Sequence, residues 1–254
     1  MAGPIDVGAA DGVLTMRMNR PDKKNAITSA MYAGMAEALD RAASDDAIRC
    51  TLILGVPGAF SAGNDIADFL AVATSGQRGS MAVFDFLERI IQAKKPIVAG
   101  VDGIAIGIGT TMLLHCDYVV ASEASSFKTP FVDLGLLPEA GSSLIGPRLM
   151  GHHRAFALLA MGETFSPQQA MEAGFVNRVV TSAELEAAAS AAAKAIAAKP
   201  PEALAQSRDL IRGDRADVLA RMREEAELWK ARLTSNEAKQ AFLAFMAKGQ
   251  QKKA

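Results

Sequence analysis

Two short runs, RCTLILG (49–55) and PIVAGVDG (96–103), are apolar at nearly every position instead of alternating. A strand apolar on both faces cannot turn either one to water, so each must be sandwiched between other layers. GVLTMRMNRP (12–21) alternates and stops at proline, as a strand does, and CDYVVAS (116–122) is a further buried strand. Between the first two strands, residues 29–46 carry Met31, Met35, Ala38, Leu39 and Ala42 at helical spacing behind a Thr28/Ser29 cap. Further helices are expected near 80–93 and 109–115. Strand, helix, strand units in succession give an α/β architecture with buried strands.

From about residue 182 the chain turns alanine-rich and strand-free. Val218, Leu219, Met222, Ala226, Trp229 and Leu233 form one apolar stripe with steps of three and four. That face either folds back on its own chain or packs on another subunit. The exposure it would otherwise suffer argues for an oligomer.

The 254 residues carry 27 basic and 28 acidic side chains, a balance that excludes the electrostatic footprint of a nucleic-acid binder. The expected partner is a small molecule. Cys50 and Cys116 lie in apolar runs and read as reduced core residues, which suits a cytoplasmic protein. No signal peptide opens the chain and no apolar run reaches the length of a membrane span, so a soluble protein without a membrane partner is expected.

Three histidines, His115, His152 and His153, with no clustered cysteines, give no metal-site spacing. GAFSAG (58–63) lacks the first glycine of a nucleophile elbow, and GIAIGIGTTM (103–112) lacks the last glycine of a dinucleotide fingerprint. Both stretches keep another use. A strand followed by a glycine turn and a helix start presents unpaired N–H groups, which suit a carbonyl oxygen gaining negative charge. Each taken alone is also an ordinary tight loop. Glu139, in PFVDLGLLPEAGSS (130–143), stands alone among apolar and small residues, and it is either a cap for a helix starting near Gly141 or a buried base.

Five ordered segments, RPDKKNAIT (20–28), GAFSAGNDI (58–66), VDGIAIGIGTTMLLHCDYVVAS (101–122), FKTPFVDLGLLPEAGSSLIGPRLMG (127–151) and FSPQQAMEAGFVNRVV (165–180), resemble the crotonase, or enoyl-CoA hydratase/isomerase, superfamily over essentially the whole chain. The resemblance implies an α/β spiral of ββα units over residues 1–195 and a C-terminal helical trimerisation region over 196–254. It also implies a homotrimer or dimer of trimers, and an acyl-CoA thioester polarised by the backbone N–H groups of Asn64 and Ile108. Coenzyme A then enters as part of the substrate, and no other cofactor or metal is implied. Family hydratases have two glutamates where this chain has Thr111 and Phe131, so the usual addition of water is not expected. TPFxxLGxxPEAGSS resembles instead the peroxisomal-type delta-3, delta-2-enoyl-CoA isomerases, whose PE glutamate is here Glu139.

That role implies a single base moving a proton from carbon 2 to carbon 4. Apolar neighbours such as Phe131, Leu136 and Leu137 would raise its pKa and keep out water. Ala26, Ala62, Gly63, Asp65, Ile66 and Gly107 are implied as CoA and acyl contacts, largely through backbone. Lys23 or Lys24 would face the phosphates, Lys248 would reach the CoA of a neighbouring subunit, and residues 67–80 would line the acyl pocket.

Overall fold

The computed structural model describes residues 3–67 and 81–251, the side chains of residue 81 and of 245–251 excepted. Among the described residues nine strands form two sheets. The larger contains β1 (Ile5–Ala10), β2 (Val13–Met18), β3 (Cys50–Leu54), β5 (Ile97–Val101), β7 (Tyr118–Ser122) and β9 (Arg178–Val180), in that spatial order. Only the β1/β2 pair is antiparallel, joined across the tight turn at Asp11 and Gly12. The remaining neighbours are parallel. The smaller sheet is wholly parallel and contains three-residue strands: β4 (Ala59–Ser61), β6 (Ile104–Ile106) and β8 (Ser126–Lys128).

The continuous apolar runs are explained by what covers them. Successive side chains of a strand point to opposite faces. Cys50, Leu52, Leu54, Val98 and Val120 accordingly pack on one face, against Leu185, Ala189 and Ala193 of helix α6 (Ser182–Ala197). Ile53, Ala99, Val101, Val119 and Ala121 enter the main core on the other. That core is closed by α1 (Ser29–Ser44) and α2 (Met81–Gln92), where the Tyr32 and Phe86 rings meet at 5.7 Å between centroids. Thr28 caps α1 by accepting the N–H of Met31 at 3.3 Å.

Each strand of the small sheet runs into a functional segment. β4 leads to Asn64, β6 leads through Gly107 to the one-turn helix α3 (Ile108–Thr111), and β8 leads to the 129–141 loop and α4 (Ser142–Leu159). After α5 (Pro167–Glu172) and β9, the chain finishes in α6, α7 (Pro201–Arg212), α8 (Ala216–Leu233) and α9 (Asn236–Gln251).

The apolar stripe of α8 belongs to the chain's own core. Val218, Met222 and Ala226 are buried, and Leu219, Trp229 and Leu233 pack against the same cluster. This corrects the premise that the stripe needs another subunit to cover it. An amphipathic helix that finds α2 and α4 of its own chain within reach gains the same burial without an association step.

Candidate active site

Gly63 carries the chain out of the small sheet at φ +87°, and a Cβ there would lie 2.9 Å from the carbonyl oxygen of Ile106. Only glycine permits both that conformation and that approach, so the turn after β4 lies directly on the end of β6. Asn25, fully buried, pins the preceding loop to β4 by donating from its amide to the carbonyls of Ala59 and Phe60 at 2.9 and 3.1 Å. The Ala62 N–H donates to Lys24, the Gly63 carbonyl accepts from Ile27, and the Asp65 N–H donates to Ile27. The Gly63 N–H donates to the Ser61 hydroxyl at 3.1 Å, so the amides on either side of Asn64 are used inside the fold. Among the described residues the Asn64 N–H has no acceptor.

The second turn is built in the same way. Gly107 (φ 55°, ψ −120°) precedes α3 and donates its own N–H to Lys128 of β8 at 2.8 Å. Ile108 then stands first in the helix, where a backbone N–H has no intrahelical partner. The side chain of Ile108 is buried, so its bulk anchors the turn while the amide stays available. Two N–H groups left unsatisfied on adjoining turns are the elements of an oxyanion hole.

The 129–141 segment reaches the site from β8. Phe131 and Leu136 are buried in the main core, and Glu139 is half-buried beyond them. Its carboxylate accepts a short hydrogen bond from the Thr111 hydroxyl of α3. Burial pushes the Glu139 carboxyl up to about 8; the Thr111 bond opposes the shift, and the negative charge of Glu225 adds to it. Tyr32 is linked to both halves of the site. Its hydroxyl donates to Oδ1 of Asn64 at 2.5 Å, and burial, together with the charge of Glu139, holds its pKa well above the ordinary value.

Helix α4 does not use Glu139 as its cap. The N–H groups of Gly141 and Ser143 donate to Glu225 of α8, at 2.6 Å to Oε2 and 3.0 Å to Oε1. Glu225 is itself buried, which raises its pKa, while the bonds from Ser143 and Gly141 act the other way. The Glu139 carboxylate is therefore free of capping duty. Only its main-chain carbonyl takes part in the turn, accepting the Ser142 N–H at 3.0 Å.

The remaining residues expected in the site are placed as follows. Ala26 and Ala62 lie on adjoining loops, and Lys23 and Lys24 are exposed on the 3-10 turn beside them. The Asp65 carboxylate is paired with Arg20 at 2.6 Å, and Ile66 packs against the core. Residues 68–80 of the expected acyl-pocket loop and the side chain of Lys248 lie outside the described residues. Thr111, Tyr32, His115 and Glu225 are residues of the site region that sequence reasoning did not assign to it. Thr111 had stood out only as the position where hydratases carry a carboxylate; for the other three no local pattern signals a contact.

A mixed α/β architecture of two largely parallel sheets followed by a C-terminal helical region is the crotonase fold. A solved structure from Pseudomonas aeruginosa, OdaA, superposes with a TM-score of 0.91 at 42% identity, over 96% of this chain and 99% of that one. Residues 8–253 match the enoyl-CoA hydratase/isomerase family, and the chain belongs to that family of enzymes. The rat enoyl-CoA delta isomerase 2 is 34% identical over 249 residues, which make up 96% of this chain and 63% of that protein. The chain thus spans slightly less than two thirds of that relative. The Escherichia coli K12 1,2-epoxyphenylacetyl-CoA isomerase is 31% identical, with 93% of each covered.

Proposed function

We propose that the enzyme moves the double bond of 3-enoyl-CoA thioesters to give 2-trans-enoyl-CoA, as fatty-acid oxidation requires. The observation that carries this reading is that Glu225 takes the helix cap, so Glu139 is an uncommitted carboxylate beside the oxyanion turns. Glu139 takes a proton from carbon 2, and the electrons of that C–H bond move into a dienolate whose charge collects on the thioester oxygen. The N–H groups of Asn64 and Ile108 hold that oxygen. The protonated Glu139 then returns the proton at carbon 4, and the double bond settles between carbons 2 and 3. A conjugate acid near pH 8 suits both transfers, because a carboxylate at the ordinary value would be too weak a base.

The rat and Escherichia coli relatives, both named as CoA-ester isomerases, support the class of substrate. Thr111 and Phe131 offer no second carboxylate to activate water, which argues for isomerisation over hydration. Lys23 and Lys24, exposed beside the Ala26 and Ala62 loops, are proposed to meet the CoA phosphates. A trimer or dimer of trimers is proposed on α7, where Leu210 and Ile211 are 86% and 85% exposed. A reducing cytoplasm remains the reading for the free thiols of Cys50 and Cys116. Among the described residues no helix is long and apolar enough to cross a membrane.

The test is a parallel assay of the purified protein on 3-enoyl-CoA and 2-enoyl-CoA thioesters. Double-bond migration should exceed hydration by at least about a hundredfold, the lower end of what one general base supplies. Hydration at a comparable or greater rate would replace this reading with that of a hydratase.

A further inference from the structure

The two residues after Glu139 both adopt the left-handed conformation: Ala140 at φ +63° and Gly141 at φ +69°. Glycine does this freely, but a buried alanine does so only where its surroundings impose it. Buried polar side chains hold this turn from both ends. On one end the Ala140 carbonyl lies 2.7 Å from Nε2 of His115. A carbonyl can only accept, so Nε2 carries the hydrogen. Nδ1 is then an acceptor, and the Arg215 guanidinium stands 3.0 Å away to donate to it. Burial, with the charge of Arg215, pulls the His115 pKa down to about 4, so this neutral tautomer persists at ordinary pH. On the other end Glu225 accepts the N–H groups of Gly141 and Ser143, while Arg221 of the same helix donates to the Ser143 hydroxyl at 3.3 Å. Helix α8 also sits directly on the turn, since a Cβ at Gly141 would fall 2.8 Å from Cγ1 of Val218.

We propose that His115 and Glu225 are positioning residues that clamp the Ala140–Gly141 turn in its left-handed form, and so aim the Glu139 carboxylate at Thr111 and the substrate. This rests on the reading of Glu139 as the base. It places half of the active-site geometry under the control of α8, a helix 82 and 84 residues further along the chain from the amides it holds. A Cβ-bearing residue at 140 makes the clamp necessary; with glycine there, the turn would hold its shape with less help.

The experiment compares kcat and KM for the wild-type enzyme, E225Q and the double variant E225Q/A140G, with E139Q as reference. Glutamine retains one acceptor and places an amide donor against the other N–H, so the turn is loosened without loss of side-chain volume. The expected result for E225Q is a kcat at least about tenfold lower with KM within about threefold, because transition-state alignment is lost and substrate binding is not. Adding A140G should restore at least about threefold of that kcat, since glycine removes the strain the clamp overcomes. A purely structural role for Glu225 would lower the folded fraction and leave kcat per folded molecule unchanged. Should E225Q fail to fold, H115Q loosens the other end of the turn and carries the same expectations. A kcat within about twofold of wild type in the folded variant, or no recovery on adding A140G, overturns the clamp. An active E139Q would instead overturn the assignment of the base, so the two failures are told apart.

Discussion

The two halves of the active site are made of different materials. The proposed oxyanion half, at Asn64 and Ile108, is main chain: two amides whose neighbours at Ala62, Gly63, Asp65 and Gly107 are spent on the 24–27 loop, Ser61 and β8. The proposed base half is side chain, with Glu139 bonded to Thr111 and its turn held by His115 and Glu225. A main-chain donor depends on conformation and tolerates changes of side chain that leave the conformation alone. A side-chain base depends on identity, and on every partner that sets its orientation and charge.

The sharpest way to break that contrast is Glu139→Gln, which keeps size and shape and removes only the ability to take a proton. Isomerase kcat should fall by about 10³–10⁴, at the upper end for a general base, because the proposed mechanism passes both proton transfers through this group. Retention of more than about a tenth of the rate would mean that the proton moves through another residue.

Next in size is Gly63→Ala, which strikes the main-chain half where side-chain identity does matter. A methyl group would sit 2.9 Å from the Ile106 carbonyl oxygen on a backbone at φ +87°, so the turn must shift and take the Asn64 amide with it. We expect kcat/KM to fall by about 10²–10³, the usual consequence of losing one oxyanion donor. A fully active variant would show that the Asn64 amide is not one of the donors.

Thr111→Val removes the hydrogen bond to the proposed base and should lower kcat by about tenfold, the lower range for a mispositioned catalytic group. It should also move the pH profile in a definite direction. The base works ionised, so kcat/KM rises with pH through an apparent pKa of about 8. Thr111 donates to the charged form and pulls that value down, so its loss must move the rising limb to higher pH. A limb that stays in place would exclude Glu139 as its source.

The smallest change in rate is expected for Asn64→Ala. The donor is the N–H, which alanine keeps, so kcat should stay within about fivefold, well short of the loss of an oxyanion donor. The buried Tyr32 hydroxyl, however, loses the acceptor it has at 2.5 Å. The cost of about 1–3 kcal/mol should appear in denaturant unfolding and not in turnover. A large loss of rate in a folded variant would bring the Asn64 side chain into the chemistry and end the distinction between the halves.

Much of this was legible without coordinates. The continuous apolar runs require a covered parallel sheet, because neither face can meet water, and helices lie on both faces. The cap at Thr28 and the spacing behind it account for α1 almost to the residue. The glycine turns after β4 and β6 were legible as places where amides could stay unpaired, and an acid in apolar sequence singled out Glu139 as a candidate. The short strands ahead of the two glycine turns, β4 and β6, were legible, but β8 and the pairing of all three into one sheet were not. With three residues each they carry no period, and their pairing is set by which turns can lie against one another.

The sequence by itself determined the inventory: which segments bury which faces, where the chain turns, and which carboxylate has no local partner. Only the tertiary structure decided which carboxylate caps α4. From sequence, a carboxylate just before a helix start is equally a cap or a base, since both roles place an acid at the same position. The cap is taken by Glu225, which arrives from a helix more than 80 residues downstream and accepts the Gly141 and Ser143 N–H groups, so the Glu139 carboxylate is left out of that role. The same packing brought the stripe of α8 onto its own core rather than onto a neighbour. Local sequence encodes a residue's chemistry and its preferred backbone. Which of two competent partners satisfies a buried N–H is settled only when distant elements pack, because that choice depends on distances that no local pattern contains.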